Sequence, residues 1–76
     1  MPHVVVKLYS GRSAQQKQAL AHAITRAVTT TLGSGEESVS VGIEDVEPKD
    51  WASRVYEPDI VDKPETIFKQ PGYDPR

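Results

Sequence analysis

The stretch HVVVKLYSGRSAQQ, residues 3–16, decides the fold because it joins a strand pattern directly to the start of a helix. In its first half every second residue is apolar, which is the side-chain period of a strand. These apolar residues are Val4, Val6 and Leu8. The pattern predicts a strand over residues 3–9.

The second half of the stretch carries the signals of a helix N-terminus. Ser13 followed by Gln16 is the capping-box pattern, in which each side chain accepts a hydrogen bond from the other residue's backbone. Beyond it, apolar residues recur at helical spacing, and Gly33 stands where a left-handed residue ends a helix. The apolar stripe consists of Leu20, Ile24, Ala27, Val28 and Leu32. We therefore predict a helix over residues 14–32 that packs this stripe on a sheet.

A second strand is predicted over residues 38–46, SVSVGIEDV, where apolar residues alternate again. Two strands joined by a long helix form a right-handed β-α-β unit with parallel strands. The predicted fold class is therefore α/β (α+β), with one domain over residues 1–76.

Pro48 suits the first turn of a short helix. Residues 48–76 are too apolar to be disordered, and we expect this tail to pack on a neighbouring subunit.

The size of the chain predicts a homo-oligomer. A domain near 76 residues buries only about 60% of its unfolded surface, so it needs additional support. There is no cysteine, which excludes disulfides and thiolate zinc sites. His3 and His22 show no metal-ligand spacing. Association into a dimer or a hexamer, with strands of several copies in one sheet backed by helices, is the expected support.

Composition also limits the partners of the chain. The formal net charge is −2 and no basic block occurs, which argues against a nucleic-acid partner. No apolar run approaches the ~20 residues of a membrane span. The first residues lack the basic and long apolar segments of a signal peptide. We expect a cytoplasmic protein without a membrane partner.

Pro2 is the first candidate catalytic residue. If Met1 is removed, the Pro2 nitrogen becomes a secondary amine, and burial or a nearby cation lowers the pKa of such an amine. A pKa close to neutral suits a general base. A retained Met1 leaves this nitrogen as a tertiary amide without useful basicity.

Arg12 is the second candidate, at the other end of the predicted strand. The two residues are roughly 25–30 Å apart at ~3.3 Å per residue, so they are not expected to meet within one chain. An interface between antiparallel subunits brings Pro2 of one copy to Arg12 of another. Alternatively, Arg12 is a solvated charge or pairs with an acidic side chain near the helix.

The order of these features resembles the 4-oxalocrotonate tautomerase family of the tautomerase superfamily. The features are Met1-Pro2, the apolar strand, GRSAQQKQAL (11–20), the helix ending at Gly33, SVSV (38–41) and Trp51. The tail that contains KQPGY is similar to the branch that acts on phenylenolpyruvate-type enols.

The resemblance implies a cofactor-free keto–enol tautomerase acting on enols of 2-oxo acids. It implies that Pro2 transfers a proton between the enol oxygen and carbon. It implies that Arg12 binds the substrate carboxylate, a task that suits the planar guanidinium fork. Trp51 matches the aromatic residue that helps form the apolar wall of the pocket; plain packing of its ring is the alternative.

One position departs from the family pattern. The best-known members carry a second arginine in the second strand, where this chain has Ser40. The departure favours a monocarboxylate with an apolar or aromatic tail over a dicarboxylate. Arg54, about one helical turn after Trp51, is predicted as a substitute cation. His3 follows Pro2 directly and is a lesser candidate, with packing or a hydrogen bond as the alternative.

Two other functions remain open from the sequence. One is hydration or dehalogenation of an unsaturated acid in the same site, with Glu44 or Asp45 activating water. The other is a non-catalytic oligomeric interaction module that has kept the fold and lost the activity. Replacement of Pro2 distinguishes them, because an interaction module is indifferent to it.

Overall fold

The computed structural model describes residues 1–76 and divides the chain into two compact units, 1–45 and 46–76. In chain order the elements up to the boundary are β1 (His3–Tyr9), α1 (Ala14–Leu32), a 3-10 turn (Glu36–Ser38) and β2 (Ser40–Val46). That both units make one domain stays a prediction.

β1 and β2 form a two-stranded parallel sheet, and α1 makes the crossover between them. The Ser40 backbone N–H donates to the Pro2 carbonyl at 3.2 Å, which sets the register of the two strands at the start of β1. The predicted β-α-β unit is confirmed.

Both ends of α1 lie where the sequence predicts them. Ser13 Oγ accepts from the Gln16 N–H at 3.1 Å, and Gln16 Oε1 accepts from the Ser13 N–H at 3.1 Å. Gly33 ends the helix at φ 74°, where its N–H donates to the Thr29 carbonyl. A residue with a Cβ is strained at such a φ, which explains the glycine.

Removing the cap is expected to weaken the fold measurably. We expect Ser13→Ala to lower the free energy of unfolding by about 1 kcal/mol, because it leaves the Gln16 N–H without its acceptor. Urea denaturation followed by circular dichroism measures the difference. Ser13→Asp is the control, since aspartate caps equally well and should restore wild-type stability. Equal midpoints for the alanine and aspartate variants would contradict this role of Ser13.

β2 begins at Ser40, two residues after the predicted start. The residues before it form the 3-10 turn, in which the Ser38 N–H and Oγ–H both donate to the Gly35 carbonyl at 3.1 and 2.8 Å. These local bonds compete with strand pairing, and they take Ser38 out of the ladder.

The apolar stripe of α1 is only partly covered. Ile24 and Val28 are half-buried, whereas Leu32 remains 65% exposed, and no residue of α1 is fully buried. The predicted packing on the sheet is therefore incomplete within one chain. The sheet has only two strands, so one chain offers the helix a narrow surface and part of the apolar stripe stays exposed.

The second unit consists of a 3-10 turn (Pro48–Asp50), a π-helix (Ala52–Val61) and a further 3-10 turn (Pro64–Thr66). The sequence predicted a single short helix from Pro48 in place of the first two of these elements. Pro58 lies inside the π-helix, and its ring is incompatible with an α-helical turn because it clashes with the carbonyl four residues earlier. The segment adopts the wider turn of a π-helix instead. Its buried side chains are Val55 and Tyr56.

No helix of the chain has both the length and the apolarity needed to cross a bilayer.

Candidate active site

An open groove of about 320 Å³ lies where β1 leads into α1. Gly11 makes the turn after β1 at φ 119°, a conformation that glycine adopts without strain. Arg12 follows this turn, and the first turns of α1 supply the other wall. The lining residues are Leu8, Arg12, Gln16, Lys17 and Leu20. The groove thus combines two cations and one amide with two leucine side chains.

The two cationic side chains of the groove differ in whether they form an ion pair within the chain. Lys17 Nζ is bound to Asp45 Oδ2 at 2.7 Å, with 26% of the lysine side chain exposed. The Arg12 guanidinium forms no ion pair within the chain. The sequence-based alternative that Arg12 pairs with a nearby acid therefore finds no support, and its guanidinium is available to an anion.

Pro2 lies at the opposite end of β1 from Arg12, as the sequence indicates. It is half-buried, and its carbonyl accepts the hydrogen bond from Ser40. With Met1 in place its nitrogen is an amide. Residues 3–9 separate Pro2 from the groove, so one chain does not bring the two candidates together.

His3 and Ser40 form a polar pair beside Pro2. His3 Nδ1 and Ser40 Oγ are hydrogen-bonded at 2.6 Å. The sequence singled out both residues separately, one as a lesser candidate and one as a departure from the family pattern. Their contact depends on the register of β1 and β2, which a single sequence does not reveal.

Trp51 and Arg54 belong to the second unit. The Trp51 indole N–H donates to the hydroxyl of Tyr73 at 2.9 Å. The Tyr73 ring lies 5.9 Å from the ring of Tyr56 between centroids, at 45°. Sequence reasoning missed Tyr73 as a partner of Trp51. The side chain of Arg54 is exposed at the surface of this unit.

Arg76 forms ion pairs with Glu57 and Asp74. Side-chain hydrogen bonds from Arg76 hold the pKa of the Asp74 carboxyl below its ordinary value. The same hydrogen bonds raise the pKa of the Arg76 guanidinium above its ordinary value. Asp74 therefore stays ionised, and its bond to Arg76 is lost only as the pH falls through that lowered pKa.

No group of three or more histidine, aspartate or glutamate side chains is placed to hold a metal ion.

A family model described as "Tautomerase enzyme" matches residues 2–55. The chain belongs to the tautomerase family. The matched residues include all four of the site residues predicted from the sequence. The predicted resemblance is confirmed at the level of the superfamily, whereas the phenylenolpyruvate-type branch stays a prediction.

Similar proteins cover nearly the whole of this tautomerase. A probable tautomerase from Xylella fastidiosa (strain 9a5c) is 44% identical over 73 residues, which are 96% of this chain and 89% of the relative. Tautomerase PptA from Cronobacter sakazakii is 39% identical, over 97% of this chain and 99% of the relative.

Among solved structures, the tautomerase is similar to TomN, a 4-oxalocrotonate tautomerase homologue in the tomaymycin biosynthetic pathway. The TM-score is 0.64 at 34% identity, over 84% of this chain and 95% of TomN. These likenesses make the protein an isomerase of the tautomerase type.

Proposed function

We propose that this tautomerase ketonises enols of 2-oxo monocarboxylic acids, with Pro2 as general acid and base and Arg12 as the carboxylate anchor. The Arg12 guanidinium, which forms no ion pair and lies beside two leucines in the groove, is the observation that carries the proposal. No cofactor takes part, because the reaction moves only one proton between an oxygen and a carbon.

The groove is suited to a carboxylate with an apolar neighbour. A guanidinium binds a carboxylate through two parallel N–H···O bonds, which fixes the plane of the 2-oxo acid as well as its position. Leu8 and Leu20 border the same groove and offer apolar contact to the adjoining carbon atoms. Arg12 therefore orients the substrate, and the two leucines exclude water from its apolar part.

Pro2 performs the proton transfer once Met1 has been removed. The neutral ring nitrogen accepts the proton of the enol hydroxyl, and the electron pair of that O–H bond forms the ketone. As this second C–O bond forms, the C=C pair moves to the neighbouring carbon and takes a proton there from the prolinium, which restores the neutral amine. The ring fixes the direction of the nitrogen relative to β1, and this orientation favours a defined acceptor carbon.

The cations of the chain and the residue at position 40 favour a monocarboxylate. At the second-strand position where the best-known relatives carry an arginine, the Ser40 hydroxyl is paired with His3. Lys17 is neutralised by Asp45. Arg54 is proposed as the substitute cation for the distal part of the substrate, and Trp51 as an apolar wall of the pocket.

The proposed site needs a second copy of the chain. Since Pro2 and Arg12 lie at opposite ends of β1, antiparallel packing of two copies joins Pro2 of one chain to the groove of the other. Exposed apolar side chains support such packing. Val5 is 48% and Tyr9 49% exposed on the face of β1 that points away from its half-buried valines.

We expect the protein to run as a dimer or hexamer, not as the 8.4 kDa monomer, in size-exclusion chromatography with light scattering. Val5→Glu should dissociate it, because the interface would then bury a charge without a partner. Gln15→Glu, which adds the same charge on an exposed position of α1, is the control. A wild-type monomer with full activity would refute the shared site.

Hydration or dehalogenation is the weaker alternative. It requires a water-activating carboxylate, and the Asp45 carboxylate is already engaged by Lys17. Glu44 is exposed and has no contact that singles it out. Membership of an enzyme family argues against the non-catalytic interaction module.

The ketonisation of phenylenolpyruvate tests the proposed function directly. The protein is first shown by intact mass to lack Met1, and the loss of enol absorbance is then followed against a buffer blank. Acceleration over buffer, with a lower rate for 2-hydroxymuconate as the dicarboxylate comparison, is the expected result. Preference for the dicarboxylate would contradict the assignment of the substrate class.

A further inference from the structure

The indole ring of Trp51 is tied to the end of the chain. Its N–H donates to the hydroxyl of Tyr73 at 2.9 Å, across 22 residues of sequence. The indole N–H is the only polar group of a tryptophan side chain, so one hydrogen bond sets the rotation of the whole ring. The bond to Tyr73 therefore restricts which edge of Trp51 is available to a neighbour.

Tyr73 is itself held by a buried ring. Its centroid lies 5.9 Å from that of Tyr56, at an interplanar angle of 45°. Tyr56 is only 8% exposed and belongs to the π-helix. Tilted aromatic pairs at this distance are favourable contacts. The contact with Tyr56 therefore helps to hold the Tyr73 ring where its hydroxyl bonds Trp51.

Arg76 makes further contacts with residues of the π-helix and with Asp74. Its guanidinium carbon lies 5.1 Å from the centroid of the Tyr56 ring, within the range of a cation–π contact. It also bonds both carboxylate oxygens of Asp74 at 3.1 and 3.2 Å and reaches Glu57 at 3.3 Å. Charge and ring contacts thus attach the last four residues to the π-helix.

We propose that residues 73–76, the C-terminal brace, position Trp51 for substrate binding, with Tyr73 as the positioning residue. The inference rests on the proposed function, in which Trp51 forms an apolar wall of the pocket. A ring that is already oriented loses less conformational freedom when a substrate packs against it, which strengthens binding. Tyr73 acts through Trp51 and has no role in the proton transfer.

The hydrogen bond is tested by nuclear magnetic resonance. Trp51 is the single tryptophan, so ¹⁵N-labelled protein gives one indole N–H resonance. Tyr73→Phe keeps the ring and removes the acceptor, and we expect an upfield shift of that resonance with faster exchange with water. Tyr56→Phe is the matched control, because the Tyr56 hydroxyl makes no bond to Trp51 and its ring is retained.

The positioning role is tested by kinetics on phenylenolpyruvate. We expect Tyr73→Phe to raise KM about 3- to 10-fold, the effect of one lost hydrogen bond, with kcat within about 2-fold of wild type. In a Trp51→Phe background the same change should leave KM unaltered, because the group that Tyr73 positions is gone. A loss of general stability would act equally in both backgrounds.

Several outcomes of these two experiments would contradict the proposal. An indole resonance that does not move in Tyr73→Phe overturns the brace, and so does a shifted resonance with unchanged KM. An equal rise of KM in both backgrounds overturns the route through Trp51. If Trp51→Phe alone leaves KM unchanged, the pocket wall of the proposed function fails and the positioning role fails with it. The indole resonance still reports separately whether Tyr73 holds the ring.

Discussion

Pro2→Ala is expected to lower the rate of phenylenolpyruvate ketonisation at least ~100-fold, the range lost when a positioned acid–base group is removed. Alanine at the N-terminus still offers an amine, but this amine is primary and rotates freely about its backbone. The higher basicity of a secondary amine and the fixed orientation of the proline ring nitrogen are lost. Stopped-flow measurement of kcat/KM, on protein whose mass shows the loss of Met1, provides the comparison.

Three comparisons test whether the Pro2 amine itself is the base. Protein that keeps Met1 should be as inactive as Pro2→Ala, because the amide nitrogen accepts no proton. In the wild type, kcat/KM should fall as the pH is lowered through the pKa of Pro2, since the protonated amine is no longer a base. His3→Ala, which changes the adjacent side chain and leaves the amine intact, should keep most of the activity. Near-normal activity in Pro2→Ala would refute the assignment of the base.

Arg12→Gln is expected to lower kcat/KM about 10- to 100-fold, mainly through a higher KM, because a hydrogen-bonded charge pair with the substrate carboxylate is lost. Within the chain the Arg12 guanidinium has no ion-pair partner that its removal would leave unpaired. The substitution should therefore change substrate binding with little change in stability. Steady-state kinetics and the urea midpoint, measured on the same preparation, separate the two effects.

Three other variants provide comparisons for Arg12→Gln. Arg26→Gln, on an exposed position of α1, removes the same charge away from the groove and should leave KM unchanged. Arg12→Lys keeps the charge but cannot form the two parallel bonds, so it should recover only part of the affinity. Arg54→Gln tests the proposed substitute cation. A KM for Arg12→Gln equal to that of Arg26→Gln would refute the carboxylate anchor.

Local sequence signals predicted the first half of the fold well. The capping box of Ser13 and the glycine at position 33 mark the ends of α1, since both act through backbone bonds within one turn. The start of β2 was predicted two residues early, because alternation in SVSV does not show that Ser38 bonds back to Gly35. The π-helix was not predicted, as its wider turn depends on how the chain accommodates Pro58.

Only those candidate site residues that follow from the order of features along the chain could be predicted from the sequence. Pro2, Arg12 and Trp51 follow from a family resemblance that rests on spacing. The pairing of His3 with Ser40 and of Trp51 with Tyr73 depends on strand register and on the path of the chain end. No periodicity encodes either contact, so these pairings required the structure.

Both strands of this sheet are edge strands, and this has a consequence for the newly made chain. Until another copy docks, unpaired backbone groups along β1 and β2 are open to any extended polypeptide, including misfolded copies. Charged side chains within the strands, at Lys7 and at Glu44, oppose stacking of identical strands in register. They therefore act as gatekeepers against fibre formation during the interval between synthesis and assembly.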